Sequence, residues 1–269
     1  VIDKYSTEYK QLLEKFPELK KVSTMPDGKI YQIGLVQKPE SLYGLVIRQD
    51  WLEKLNLKAP ETIEQLLEAA SELALPIVED DPFSLTAYDG MAPAPLKSMD
   101  EVGSVLHIGS FSKIAASGLR IGWMVAPRAI AERLADARQQ MDFGLSVIPQ
   151  QVAAQFLNSP YFVPHLERLR AQLLFKRDLL IEALNRELPG LIRFTVPSGG
   201  LHLWCKLVPE IHDGKLLEEG IRRGVVFVPG SVYGSDSGFV RFTFARARTE
   251  DIAEGIAKFA EALRASIGG

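Results

Sequence analysis

Val105-Leu106-His107-Ile108-Gly109-Ser110-Phe111-Ser112-Lys113 is an apolar run that ends in small, hydroxylated and basic residues. A short apolar segment bordered by turn-forming residues reads as a strand covered on both faces. Pro76-Ile77-Val78, running into Glu79-Asp80-Asp81-Pro82, has the same character, and so does the segment 121–126, which Pro127 stops. These stretches predict an α/β fold: a mixed, mainly parallel sheet flanked by helices, with central strands at 76–79, 105–108 and 121–126. Polar residues at the ends of such strands mark the place where open α/β sheets keep ligand sites.

The flanking sequence fits that frame. Upstream, strands are predicted at 29–33 and 43–47 and a helix at 50–55. Thr62-Ile63-Glu64-Gln65 then reads as a capping box opening a helix through Leu66, Leu67, Ala70 and Leu73. Downstream, helices are predicted at 128–141, 150–157 and 163–188. The last carries Leu166, Leu169, Leu173, Leu174, Leu180 and Leu184 as an apolar stripe and ends at Pro189-Gly190. Strands at 192–196, 201–207, 225–228 and 240–244 follow, with a helix at 215–223 and a closing helix from Thr249. This last part predicts a smaller C-terminal α+β subdomain. The segments 1–70, 71–148 and 149–269 are read as separate domains.

Composition narrows the functional classes. The chain has 269 residues, a formal charge of −3, 46% hydrophobic residues and one cysteine. One cysteine excludes a disulfide framework and a Cys-rich zinc module. The near-neutral charge argues against an electrostatic nucleic-acid surface, which needs clustered Lys and Arg. No apolar run reaches the roughly 20 residues that cross a bilayer, and no secretory h-region opens the sequence. A cytoplasmic protein with neither a nucleic-acid nor a membrane partner is expected. His107, His165, His202 and His212 have no ligand spacing, so no metal site is expected. Cys205 reads as a small buried hydrophobe, and Arg246-Ala247-Arg248 as a solvated loop.

The chemistry-bearing cluster is Ser110-Phe111-Ser112-Lys113 with Gly118-Leu119-Arg120. A lysine amine can form a Schiff base, and hydroxyls beside a guanidinium can hold a phosphate, so the set suits a phosphorylated aldehyde cofactor. Asp80 and Asp81 could instead cap a following turn, and Arg241 could pair with a surface acid.

From Leu75 to about residue 265 the sequence resembles a fold-type-I, pyridoxal-phosphate-dependent class I/II aminotransferase. It is similar in particular to the aminotransferase-like domain of MocR-type transcriptional regulators. The resemblance rests on Pro76-Ile77-Val78-Glu79-Asp80-Asp81-Pro82-Phe83, Gly109-Ser110-Phe111-Ser112-Lys113 and Gly118-Leu119-Arg120-Ile121-Gly122-Trp123. It continues through Pro197-Ser198-Gly199-Gly200-Leu201-His202-Leu203-Trp204, Val228-Pro229-Gly230 and Val240-Arg241-Phe242. It implies pyridoxal 5′-phosphate as cofactor, attached to a catalytic Lys113. Asp80 would hold the pyridine nitrogen protonated, and Ser110, Ser112 and Arg120 would bind the phosphate. Arg241 would grip the carboxylate of an amino acid or 2-oxo acid substrate. A homodimer is implied as well.

Departures from the family pattern carry their own expectations. Phe83 stands where such enzymes usually carry a tyrosine that hydrogen-bonds the cofactor. Upstream of Asp80 there is no Gly-Ser-Gln-Gln-like loop and no Asn-Pro-Thr-Gly segment, and no winged-helix domain is seen. DNA binding is therefore not carried over. The stretch 4–69 instead resembles the middle of family-1 extracellular solute-binding lipoproteins, on Pro26-Asp27-Gly28-Lys29-Ile30-Tyr31, Tyr43-Gly44-Leu45-Val46-Ile47-Arg48, Asp50-Trp51-Leu52-Glu53-Lys54-Leu55 and Ala59-Pro60-Glu61-Thr62. A chimera with impaired turnover is the expectation, and a cofactor-free, non-catalytic α/β scaffold is the alternative.

Overall fold

In the computed structural model, residues 49–54 and 58–267 are described. The predicted strands at 29–33 and 43–47 lie outside them. The chain divides into two compact units. One comprises Pro60–Phe175 with Ser198–Leu201, and the other includes Lys176–Pro197 and residues 202–267.

The first unit opens with helix α2 (Ile63–Glu72), which follows the short helix α1 (Gln49–Lys54). The predicted cap is present: the Gln65 backbone N–H donates to Thr62 Oγ1 at 3.3 Å. The Gln65 side chain reaches back one residue further than expected, accepting from the Glu61 N–H at 2.7 Å. At the other end Ala74 adopts φ 51° and the Leu75 N–H closes on the Ala70 carbonyl at 2.9 Å, a left-handed helix stop without glycine.

Strands β1 (Ile77–Asp81), β2 (Val105–Ser110) and β3 (Gly122–Val125) form a sheet in the order β1-β2-β3. β1 runs parallel to β2, with Ile77 opposite Val105 and Asp80 opposite Ile108. β3 runs antiparallel, with Ser110 opposite Gly122. This is the α/β, mixed-sheet architecture that the apolar runs predict. The antiparallel strand is held close: a Cβ on Gly122 would lie 2.8 Å from the Gly109 carbonyl, and one on Gly109 would overlap the Trp123 indole. Val105, Phe111 and Ile114 are buried, and Phe111 meets Trp123 edge to face at 5.6 Å. Helices α3 (Arg128–Asp142), α4 (Val147–Leu157) and α5 (Phe162–Glu187) follow. α5 ties down the loops below it through His165 Nε2, 2.7 Å from the Ile114 carbonyl, and through Arg170 Nε, which donates to the Leu85 carbonyl at 2.9 Å. The division between the units falls inside α5.

The second unit is the α+β subdomain. Strands β4 (Ile192–Phe194), β5 (His202–Leu207), β6 (Val228–Pro229) and β7 (Phe239–Thr243) make an antiparallel sheet in the order β4-β5-β7-β6. Helices α6 (Asp213–Arg222) and α7 (Asp251–Ile267) pack on each other. Alternation along the strands decides the core: Leu203, Cys205 and Leu207 of β5 and Val240 and Phe242 of β7 are buried. α7 contributes Ile252, Ile256, Phe259, Ala260 and Leu263, a three-and-four spacing that lines one helical face. Phe227, Phe242 and Phe259 interlock, Phe242 and Phe259 meeting edge to face with centroids 4.8 Å apart. Cys205 is fully enclosed as expected, and burial pushes its thiol pKa up. Arg248, predicted as solvated, forks onto the Asp251 carboxylate at 2.7 and 2.9 Å in the first turn of α7.

Candidate functional site

β1 supplies three consecutive carboxylates, and the two-residue period of a strand separates them. Glu79 turns to one face. It accepts from the Leu96 and Lys97 backbone N–H groups at 2.6 and 3.1 Å and lies 2.9 Å from His107 Nδ1 on β2. Asp81 turns the same way and caps the short 3₁₀ turn Ser84–Thr86, accepting from the Phe83 and Ser84 N–H groups at 3.2 and 2.8 Å. The capping reading therefore holds for Asp81. It does not hold for Asp80, which lies on the opposite face, exposed and without a hydrogen bond or ion pair among the described residues.

Downstream of Glu79, Asp100 fixes the approach to β2. It accepts from the Gly103, Ser104 and Val105 N–H groups at 2.9 Å each and from Lys97 Nζ at 2.8 Å. Burial alone would raise its pKa, but the Lys97 ammonium and the three backbone donors outweigh that and hold it well below the usual carboxylate range. β2 thus enters the sheet in fixed register and delivers Ser110 to its C-terminal end.

Beyond that end, Ser110 Oγ accepts from the Ser112 N–H at 3.1 Å and bends the chain. The Phe111 N–H donates to the Ile121 carbonyl at 3.0 Å, which draws the Arg120 segment beside it. Arg120 ends the 3₁₀ turn Ser117–Leu119 in the left-handed region, φ 55°, a conformation that costs a non-glycine residue roughly 1–2 kcal/mol. Lys113 is exposed and makes no ion pair among the described residues. Its Nζ lies 6.0 Å from the centroid of the Phe83 ring, just past the end of β1. Asp80, Ser110, Ser112, Lys113 and Arg120 therefore all belong to one unit and to the carboxyl ends of the parallel pair β1 and β2 or the loops after them.

Arg241 belongs to the other unit. It sits in β7 opposite Trp204 of β5, with its guanidinium carbon 4.8 Å from the centroid of the Tyr233 ring. No surface acid pairs with it among the described residues, and its Nε is buried without a hydrogen-bond partner. Among the described residues no group of three His, Cys, Asp or Glu side chains is placed to hold a metal, and no helix is long and apolar enough to cross a membrane.

Three features of the site escaped the sequence. His107 is the partner of Glu79, visible only once β1 and β2 are paired. Tyr233 lies under Arg241, a relation hinted at by its place just after Val228-Pro229-Gly230. The left-handed Arg120 has no sequence signal.

The family model for class I and II aminotransferases matches residues 57–259, and the chain belongs to that family. The match opens upstream of Leu75 and takes in α2. Over 194 residues the chain is 37% identical to the uncharacterised HTH-type transcriptional regulator YdfD of Bacillus subtilis, covering 72% of this chain and 40% of that protein. It is 32% identical to aromatic-amino-acid aminotransferase 1 of Thermococcus litoralis, covering 75% and 49% respectively. The chain thus spans about half the length, or less, of these relatives. Among solved structures it is similar to LysN, the α-aminoadipate aminotransferase of Thermus thermophilus (TM-score 0.71, 28% identity, 79% of this chain and 56% of that one). It is also similar to the kynurenine aminotransferase of Pyrococcus horikoshii (TM-score 0.70, 31% identity, 96% and 61%). Because YdfD is named as a transcriptional regulator, the expectation that nucleic acid is no partner gains no support from these relatives.

Membership implies pyridoxal 5′-phosphate. The residues present fit it in charge and donor type: an amine for the aldehyde, a carboxylate for the ring nitrogen, and two hydroxyls and a guanidinium for the phosphate. Asp80 and Lys113, with no hydrogen bond or ion pair among the described residues, are the groups left to meet it.

Proposed function

We propose that the chain binds pyridoxal 5′-phosphate through Lys113 and acts on, or senses, an amino acid or 2-oxo acid, with low turnover. The observation that supports this reading most is the gathering of Asp80, Ser110, Ser112, Lys113 and Arg120 at one end of the three-stranded sheet, Asp80 and Lys113 unpaired. When bound, the cofactor supplies a cationic ring that draws electron density from the substrate Cα. Lys113 would hold the cofactor aldehyde through its ε-amine, and the same amine would be the base that moves a proton to or from the substrate Cα. The Asp80 carboxylate accepts a hydrogen bond from the ring nitrogen and keeps that nitrogen protonated. The Ser110 and Ser112 hydroxyls donate to the phosphate, and the Arg120 guanidinium neutralises its charge. Arg241 clamps the substrate carboxylate with two parallel N–H donors, which a planar guanidinium provides and an ammonium does not.

Phe83 supports the reading of low turnover. Its ring approaches Lys113 but carries no hydroxyl, so the site lacks one donor to the cofactor. The resemblance of residues 4–69 to solute-binding lipoproteins supports a joined origin, with 1–70 as one segment and 71–148 and 149–269 as a partial cofactor domain and a small domain. On this reading residues 1–70 add nothing to cofactor affinity. A homodimer in the cytoplasm completes it, and sedimentation of the purified chain tests the assembly.

The deciding experiment adds pyridoxal 5′-phosphate to the purified protein, records the visible absorption band, fixes the adduct with borohydride and maps it by mass spectrometry. The expected result is a band in wild type and a cofactor mass on the peptide bearing Lys113, both lost in Lys113→Ala. Cofactor should also raise the melting temperature, as any ligand of the folded state does. A band that is equal in wild type and Lys113→Ala overturns the assignment.

A further inference from the structure

The face of the four-stranded sheet opposite its helices carries a continuous stack. Lys206 Nζ lies 5.4 Å from the Phe239 centroid, and Phe239 stacks on Trp204 at 5.6 Å with an interplanar angle of 18°. Trp204 meets Tyr233 edge to face at 5.8 Å, and Tyr233 underlies the Arg241 guanidinium at 4.8 Å. Three rings thus run between two cations. Stacking fixes the plane of a guanidinium but satisfies none of its N–H donors, and Arg241 Nε is left buried without an acceptor.

Tyr233 itself is rigidly presented. It closes the 3₁₀ turn Gly230–Tyr233, whose Ser231 N–H donates to Asp213 Oδ2 at 3.0 Å; Asp213 is 2% exposed. A Cβ on Gly230 would run into Phe239 and Ser235, and Gly234, at φ 76°, turns the chain away directly after Tyr233. A buried carboxylate, a steric requirement for glycine and a left-handed glycine thus all serve the placement of one ring.

We propose that Tyr233 is a positioning residue: with Trp204 behind it, its ring sets the plane of the Arg241 guanidinium so that two of its N–H donors face a carboxylate together. The carboxylate arm of this inference rests on the role proposed for Arg241 above; the stacking arm does not.

The test uses arginine side-chain Nε–H spectra of the full nitrogen-15-labelled chain, with phenylpyruvate as the probe carboxylate. Arg241→Lys identifies the Arg241 signal by its loss. The ring current of Tyr233 should displace that signal upfield, Tyr233→Phe should keep the displacement, and Tyr233→Leu should abolish it. Phenylpyruvate should shift the signal in wild type and Tyr233→Phe, and should bind about fivefold more weakly to Tyr233→Leu. An unmoved Arg241 signal in Tyr233→Leu overturns the proposal, and so does an unchanged phenylpyruvate affinity where the signal has moved. If phenylpyruvate leaves the wild-type signal untouched, the carboxylate role of Arg241 fails, and the ring-current comparison alone decides whether Tyr233 sets the guanidinium.

Discussion

The Lys113 ammonium lies 6.0 Å from the centroid of the Phe83 ring, so the proposed attachment point faces a hydrocarbon ring instead of a phenol. A Phe83→Tyr substitution adds one hydroxyl at the rim of the site without enlarging the ring. A hydrogen bond to a charged group contributes roughly 1.5–3 kcal/mol. The variant should retain pyridoxal 5′-phosphate at least about tenfold more tightly, read by titrating the visible band. Equal affinity in wild type and Phe83→Tyr would place that hydroxyl away from the cofactor.

Arg120 offers a prediction with two opposite signs. Its φ of 55° is costly for arginine and free for glycine. Arg120→Gly should therefore raise stability by up to about 1 kcal/mol in urea unfolding while weakening cofactor binding, because the phosphate loses its guanidinium. A variant that loses stability would show that the Arg120 side chain supports the fold as well.

The Glu79 carboxylate joins three elements: its own strand, His107 on β2, and the two N–H groups at Leu96 and Lys97. Glu79→Ala leaves those backbone donors without their acceptor and should cost about 3 kcal/mol. His107→Ala removes one partner of three and should cost less. A double-mutant cycle should show coupling on the order of 1 kcal/mol, and additive losses would mean that the pair does not interact in solution.

Asp100 makes the first unit acid-sensitive. Because its folded-state pKa is depressed, its contribution is complete above the ordinary carboxylate value of 3.8 and is lost as pH falls below that value toward the depressed one. Asp100→Asn should be less stable than wild type at neutral pH, and the gap should shrink as the pH drops below about 4. A gap independent of pH over that range would assign the loss to shape instead of charge.

Much of this architecture can be read from residue patterns. The short apolar runs ending in polar clusters locate β1 to β3, the Thr62–Gln65 cap locates α2, and the spacing of Ile252, Ile256, Phe259 and Leu263 locates the buried side of α7. The five proposed site residues of the first unit stand out because they fall at strand ends or in the loops beyond. Side-chain direction is not legible in the same way. Glu79, Asp80 and Asp81 are chemically alike, and only the pairing of β1 with β2 determines which of them is consumed in structure and which is left free. Tyr233 reaches Arg241 through a turn and a cross-strand register, two tertiary facts that no local pattern encodes.

Trp123 packs so tightly over Gly109 that no β-carbon fits beneath it. It is also the sole tryptophan between residues 60 and 175, and Trp204 lies in the other unit. The molecule therefore carries a native optical label in each half. In a Trp51→Phe background, adding Trp204→Phe leaves the emission of Trp123 to follow the sheet bearing Lys113, and adding Trp123→Phe leaves that of Trp204 to follow the stack bearing Arg241. Whether the two halves melt together or one after the other can then be heard as two voices, without any dye attached.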